Sequence, residues 1–118
     1  MGLGNWYFTI FEIQDGMKIL ELGCGTGSMW IEHKDVISKC SQAVFSDLSE
    51  GMLAEAKKNI GEAPNVEYQL IDIQEIPFED EYFDVVIANY MLYHVPNVDK
   101  AVSEVSRVLK KGGHFYAG

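Results

Sequence analysis

The sequence lacks the features that mark several common protein classes. It has only two cysteines, Cys24 and Cys40, in 118 residues. Two are too few for a disulfide framework or a zinc cluster, so no metal site is expected and a reducing, cytoplasmic setting is. Basic residues are scarce, nine Lys and Arg against eighteen Asp and Glu, for a formal charge of −9. Such a surface repels phosphate backbones and anionic lipid, which argues against unassisted nucleic-acid binding and against membrane attachment. The pairs Lys57-Lys58 and Lys110-Lys111 are isolated and form no basic patch. The first basic residue is Lys18, so the start has no positively charged leader region. No apolar run reaches the roughly 18 residues of a membrane span. Repeats, low-complexity tracts and Pro- or Ser-rich linkers are absent too.

What remains is the composition of one soluble domain, 47% apolar and 23% charged. Residues 1–16 form an N-terminal aromatic segment, rich in β-prone side chains from Asn5 to Ile13, and residues 17–118 form the core. In that core, short apolar runs alternate with helical patterns. Met17–Leu22 predicts a first strand, closed by Gly23-Cys24-Gly25-Thr26-Gly27. A weak helix follows from Ser28 to Lys39, its inward face either Trp30 and Ile31 or Val36 and Ile37. Ala43–Phe45 predicts the second strand and Glu50–Ile60 a helix stopped by Gly61 and Pro64. Val66–Ile71 is the third strand. Phe83–Ala88 is the fourth, apolar enough to be buried on both faces as in a parallel sheet. Val98, Ala101, Val102, Val105, Val108 and Leu109 lie at helical spacing, with Asn97 or Asp99 as cap and Lys110, Lys111 and Gly112 at the end. His114–Ala117 predicts a fifth strand. Strands alternating with helices give an α/β fold with a mostly parallel sheet between two helical layers.

In such a sheet a ligand sits beyond the carboxyl ends of the strands. Those ends carry Glu21 and the glycine loop, then Asp47, Asp72 and Asn89. Each alone is a common turn former, but all four fall at one edge. The glycine spacing is G-x-G-x-G, and Ser28 stands where a dinucleotide fingerprint has its third glycine. Glu21 beside the loop would repel a pyrophosphate and attract an ammonium or sulfonium group. Asp47, twenty residues past Gly27, can accept both hydroxyls of a ribose. The pattern therefore suits a positively charged nucleoside better than a nicotinamide dinucleotide. No Gly-Lys-Ser/Thr sequence supports a phosphate loop.

Glu21–Gly27, Asp47–Leu53, Asp72–Phe78, Phe83–Val86, Leu92–Val95 and Leu109–Gly113, taken in order, resemble the class I S-adenosylmethionine-dependent methyltransferases from about Met17 to Tyr116. The resemblance implies a Rossmann-like α/β/α sandwich and S-adenosyl-L-methionine as cofactor, with S-adenosyl-L-homocysteine as product. It implies that Glu21 meets the methionine ammonium and that the backbone of Gly23, Cys24 and Gly25 approaches the amino-acid moiety. Asp47 would hold the ribose hydroxyls, Leu48 and Met52 would flank the adenine or ribose, and Asp72 would accept from the adenine amino group beside the Ile73 backbone. Asn89 would lie near the methionine portion. The lesser alternative is that Asp72 simply starts a turn. Asp84 reads as a structural residue opening its strand, Glu79-Asp80-Glu81 as a solvated loop, and Trp30, Tyr82 and Phe83 as core. Cys24 reads as small rather than reactive.

If a helical turn follows the fourth strand, Tyr90 and His94 share a face at the mouth of the site, and His94 is a candidate general base. The resemblance favours a packing role for it, since a histidine recurs there among members with different acceptors. Family members resemble one another in a seven-stranded sheet, and this sequence supplies five strands, so the expected fold is incomplete after strand five. That strand would be an exposed edge, covered by the N-terminal aromatic segment or by a second copy in a homodimer. The functional expectation is methyl transfer to a small-molecule acceptor. The alternative is an inactive cofactor-binding or interaction module.

Overall fold

A computed structural model describes residues 13–88 and 95–117. Strand β1 (Lys18–Leu22) is central because its last four residues are buried on both faces. Side chains alternate across the sheet, so Ile19 and Glu21 face one layer and Leu20 and Leu22 the other. β2 (Gln42–Asp47) and β3 (Val66–Leu70) extend the sheet on one side of β1, β4 (Phe83–Ala88) and β5 (Leu109–Ala117) on the other. The order is β3-β2-β1-β4-β5 and every pairing is parallel.

Helices α1 (Lys34–Lys39) and α2 (Glu50–Ile60) cover one face, burying Val36, Ile37, Ala56 and Ile60 against Ile19, Ala43, Phe45, Val85 and Ile87. On the other face, α3 (Val98–Val108) and the stretch after β3 bury Ala101, Val105, Val108, Ile71, Ile73 and Ile76 against Leu20, Leu22, Val44 and Val86. This is the expected three-layer α/β/α sandwich.

Local chemistry sets the helix limits. Ser49 Oγ accepts the Met52 N–H at 3.2 Å and starts α2, whose bounds coincide with the predicted ones. Of the two cap candidates for α3, Asn97 serves, accepting the Lys100 N–H at 3.0 Å.

Two predicted elements differ. The helix expected from Ser28 to Lys39 is instead a 3-10 turn, Ser28–Trp30, followed by the six-residue α1. Trp30 is drawn fully into the core, His33 leaves the helical region, and Ile31 stays 46% exposed. The inward residues are Trp30, Val36 and Ile37 together. β5 begins at Leu109, directly after α3, rather than at His114. Phe83 pairs with Leu109 and Val85 with His114, so the intervening residues form an irregularity where Gly112 adopts φ +80°.

Asp84 is structural, as expected: its Oδ2 accepts the Lys18 N–H at 2.8 Å and lies 3.4 Å from Lys110 Nζ. Among the described residues, no helix is long and apolar enough to cross a membrane and no cluster of His, Cys, Asp and Glu could hold a metal ion.

Candidate functional site

The turn after β1 is built on three glycines with positive φ: Gly23 at 72°, Gly25 at 59° and Gly27 at 70°. Side chains rarely adopt this region, so the glycines let the chain reverse tightly over the strand ends. Hydrogen bonds from three directions fix the loop. Cys24 N–H donates to Ser46 O at 2.8 Å, Gly25 N–H to Asp47 Oδ2 at 2.9 Å, and Asn59 Nδ2 to Thr26 O at 2.9 Å. Gly27 lies against α2, where a Cβ would stand 2.8 Å from Ile60 Cδ1, whereas a Cβ at Gly25 would meet nothing within 4 Å. Gly27 therefore makes a close contact with α2 that leaves no room for a side chain.

Asp47 closes β2 at the same edge. Its Oδ1 accepts the Ser49 N–H at 3.0 Å while Oδ2 holds Gly25. A carboxylate offers about four acceptor positions, so both oxygens retain capacity for hydroxyl donors. Leu48 and Met52 flank it and are exposed, Leu48 at 64%.

Glu21 is 2% exposed beneath the glycine loop, its Oε1 accepting the Trp30 indole N–H at 2.7 Å. Burial, followed by the negative charges of Glu21 and Asp47, pushes the Cys24 thiol up to about 12. Cys24 is thus held protonated, chiefly by its burial and then by the two neighbouring carboxylates.

Asp72 follows β3 and makes a tight turn: Gln74 N–H donates to its Oδ1 at 2.8 Å and Glu75 N–H to its carbonyl at 2.8 Å. The turn reading thus holds for Asp72, with a carboxylate that remains exposed. Ile73 is buried in the second core layer, leaving only its backbone to face a ligand. Asn89, Tyr90 and His94 lie outside the described residues, just past the end of β4.

The sequence reading missed Arg107. Its guanidinium reaches Glu104 (2.8 and 3.0 Å), the Phe78 and Ile76 carbonyls (both 2.8 Å) and Asp80 (2.9 Å). Glu104 also accepts the Ile76 N–H at 2.8 Å. The clamp fastens residues 76–80 to α3, downstream of Asp72. The Glu104 to Arg107 spacing of three residues was its one signal in the sequence. Arg107 also pairs with Asp80 of the acidic stretch, whose three residues are all exposed, as the solvated-loop reading expected.

The edge as a whole presents Glu21, Asp47 and Asp72 around a backbone cradle open at Gly25, with no basic side chain among these residues. That donor set is unsuited to a polyphosphate and suited to a nucleoside bearing positive charge.

Residues 20–117 match the family model described as a methyltransferase domain, and the chain belongs to that family. The sterol 4-C-methyltransferase of Caenorhabditis elegans is 34% identical over 104 residues, covering 88% of this chain and 31% of that protein. The ubiquinone/menaquinone biosynthesis C-methyltransferase UbiE of Vibrio parahaemolyticus is 35% identical over 103 residues, covering 85% and 40%. Among solved structures, an S-adenosylmethionine dependent methyltransferase from Mesorhizobium loti superposes with a TM-score of 0.80 at 26% identity, covering 98% of this chain and 53% of that one. The chain thus spans about a third to two fifths of these curated relatives. S-adenosylmethionine is the cofactor the family supports, and the donor set at the strand ends fits it.

Proposed function

We propose that this chain is the cofactor-holding part of a methyltransferase acting on a small-molecule acceptor in the cytoplasm. The observation that carries the reading is the bond from Gly25 N–H to Asp47 Oδ2, which ties the glycine loop to the acid that this reading assigns to the ribose. In this reading Glu21 faces the ammonium of the cofactor, and the Gly23, Cys24 and Gly25 backbone lies along its amino-acid moiety. Asp47 accepts the ribose hydroxyls between Leu48 and Met52. Asp72 accepts from the adenine amino group beside the Ile73 backbone, and Asn89 lies near the methionine portion.

S-adenosylmethionine, when bound, supplies a methyl group already activated by its sulfonium. The protein therefore has to align, desolvate and accept a proton rather than provide a nucleophile. Tyr90 and His94, following β4, are the candidates for contact with the acceptor. The charge of −9 favours a neutral or cationic small acceptor, and the two curated relatives named above carry sterol and quinone-biosynthesis names.

Calorimetric titration with S-adenosylmethionine and S-adenosylhomocysteine tests the reading. Micromolar binding, about −8 kcal/mol, that disappears in Asp47→Ala is the expected result. No binding of either ligand at millimolar concentration would overturn it.

A further inference from the structure

We infer that Trp30 is a positioning residue for the amino-acid end of the cofactor, its buried indole N–H aiming the Glu21 carboxylate at the floor of the glycine loop. The inference rests on the methyltransferase reading above.

It starts from an anomaly in β1. The strand is apolar at Ile19, Leu20 and Leu22, all fully buried, yet carries an acid between them. Burying a carboxylate carries a desolvation penalty of several kcal/mol, and an apolar residue of similar volume is often at least as stable. Packing alone therefore does not account for Glu21. Trp30 supplies a 2.7 Å hydrogen bond to it from a ring that is itself fully buried. That ring is held edge-on to Phe45, with centroids 5.5 Å apart and planes at 71°. Phe45 is the residue in register with Glu21 on β2. The backbone of Glu21 is fixed as well, its carbonyl accepting from Ser46 Oγ at 2.8 Å.

The chemistry of the partner matters. A Lys or Arg here would orient the carboxylate and cancel its charge. An indole N–H is neutral, so this hydrogen bond sets direction without supplying a counter-charge. Glu21 is also near enough to the loop to be, after burial, one of the groups raising the Cys24 thiol. The arrangement also explains why the helix predicted from Ser28 begins instead as a 3-10 turn and is interrupted after Trp30. Trp30 sits in the 3-10 turn Ser28–Trp30, which turns it inward toward Glu21.

The test compares two ligands that differ only at the amino-acid end. S-adenosylhomocysteine carries the α-ammonium, whereas 5′-methylthioadenosine keeps the nucleoside thioether without it. Trp30→Phe keeps an aromatic ring in place and removes the donor. It should weaken S-adenosylhomocysteine about tenfold, the loss expected for one hydrogen bond to a charged group. Binding of 5′-methylthioadenosine should change less than about twofold. Glu21→Gln should reproduce the pattern and carries the ligand test if Trp30→Phe fails to fold. Without any ligand, the Trp30 indole proton resonance, identified by its loss in Trp30→Phe, should shift upfield in Glu21→Gln. Equal weakening of both ligands, or an unmoved indole resonance, would overturn the inference, because either marks a packing role alone. Binding that is lost in Asp47→Ala yet unchanged in Trp30→Phe and Glu21→Gln overturns this inference and leaves the methyltransferase reading standing. Failure of the unaltered protein to bind either ligand overturns both.

Discussion

Gly27→Ala is the sharpest test of how the glycine loop is seated. Two penalties add at this residue. A side chain at φ +70° costs about 1 kcal/mol in backbone strain. The new Cβ would also stand 2.8 Å from Ile60 Cδ1, 3.1 Å from Ile60 Cγ1 and 3.3 Å from the Ala56 backbone. Overpacking of that kind typically costs about 1–3 kcal/mol. The sum, about 2–4 kcal/mol, is a large part of the stability of a domain this size. At roughly 4 °C per kcal/mol it lowers the melting temperature by about 8–16 °C. Gly25→Ala isolates the first penalty, because its φ is also positive but its Cβ meets nothing within 4 Å, so it should cost only about 1 kcal/mol. Adding Ile60→Val to Gly27→Ala removes the atom in closest conflict and should recover part of the loss, a non-additive pair. Urea unfolding of the four proteins measures all of these. Equal destabilisation by the two alanine variants, or no recovery with Ile60→Val, would refute the seating of the loop against α2.

Arg107→Ala should destabilise by about 2 kcal/mol in urea, since it leaves the Ile76 and Phe78 carbonyls and Glu104 without their charged donor. The hydrogen bond from Arg107 holds the Glu104 carboxyl below its ordinary value. A depressed carboxylate contributes stability that is complete above its unfolded pKa and lost as pH falls through the folded one. The unaltered protein should therefore lose this increment in acid below about pH 4.5, and Arg107→Ala should show a shallower acid slope over the same window. Cys24, held near 12, should alkylate with iodoacetamide at pH 8 more than about a hundredfold slower than a free thiol and react at normal speed in urea. Rapid labelling of the folded protein, located by mass spectrometry, would contradict the burial and the neighbouring carboxylates that hold the thiol protonated.

Where the sequence spoke through periodicity and caps, it spoke accurately. Glu50–Ile60 carried a spaced apolar face and a terminal Gly, and the helix has those limits. Phe83–Ala88 announced burial on both faces and lies beside the central strand. Legibility failed where distant contacts decide. Trp30 was readable as core, but nothing local predicts that it turns in from a 3-10 turn to meet Glu21, because that partner belongs to another element. Nothing local predicts that Lys110 and Lys111 are in a strand, because β5 is recruited by pairing with β4. In the site, the acids and glycines were readable as a set of strand ends. The bond between Gly25 and Asp47, twenty-two residues apart, was not, and neither was the clamp of Arg107. Gly27 is intermediate: its importance showed in the spacing, its helix contact only in three dimensions.

The strand order has a consequence for the birth of the fold. Synthesis lays down the central strand first and then adds β2 and β3 outward on one side. By the time Asp72 has left the ribosome, the glycine loop, Asp47 and the helix that seats Gly27 are all present. That leading half thus holds the glycine loop, Asp47 and Asp72 of the candidate site before β4 and β5 are made. The trailing half then docks through the seam of Ile19 to Leu22 against Val85 to Ala88, drawn tight at one end by Asp84 on the Lys18 amide, and through α3 packed over Leu20, Leu22 and Val44.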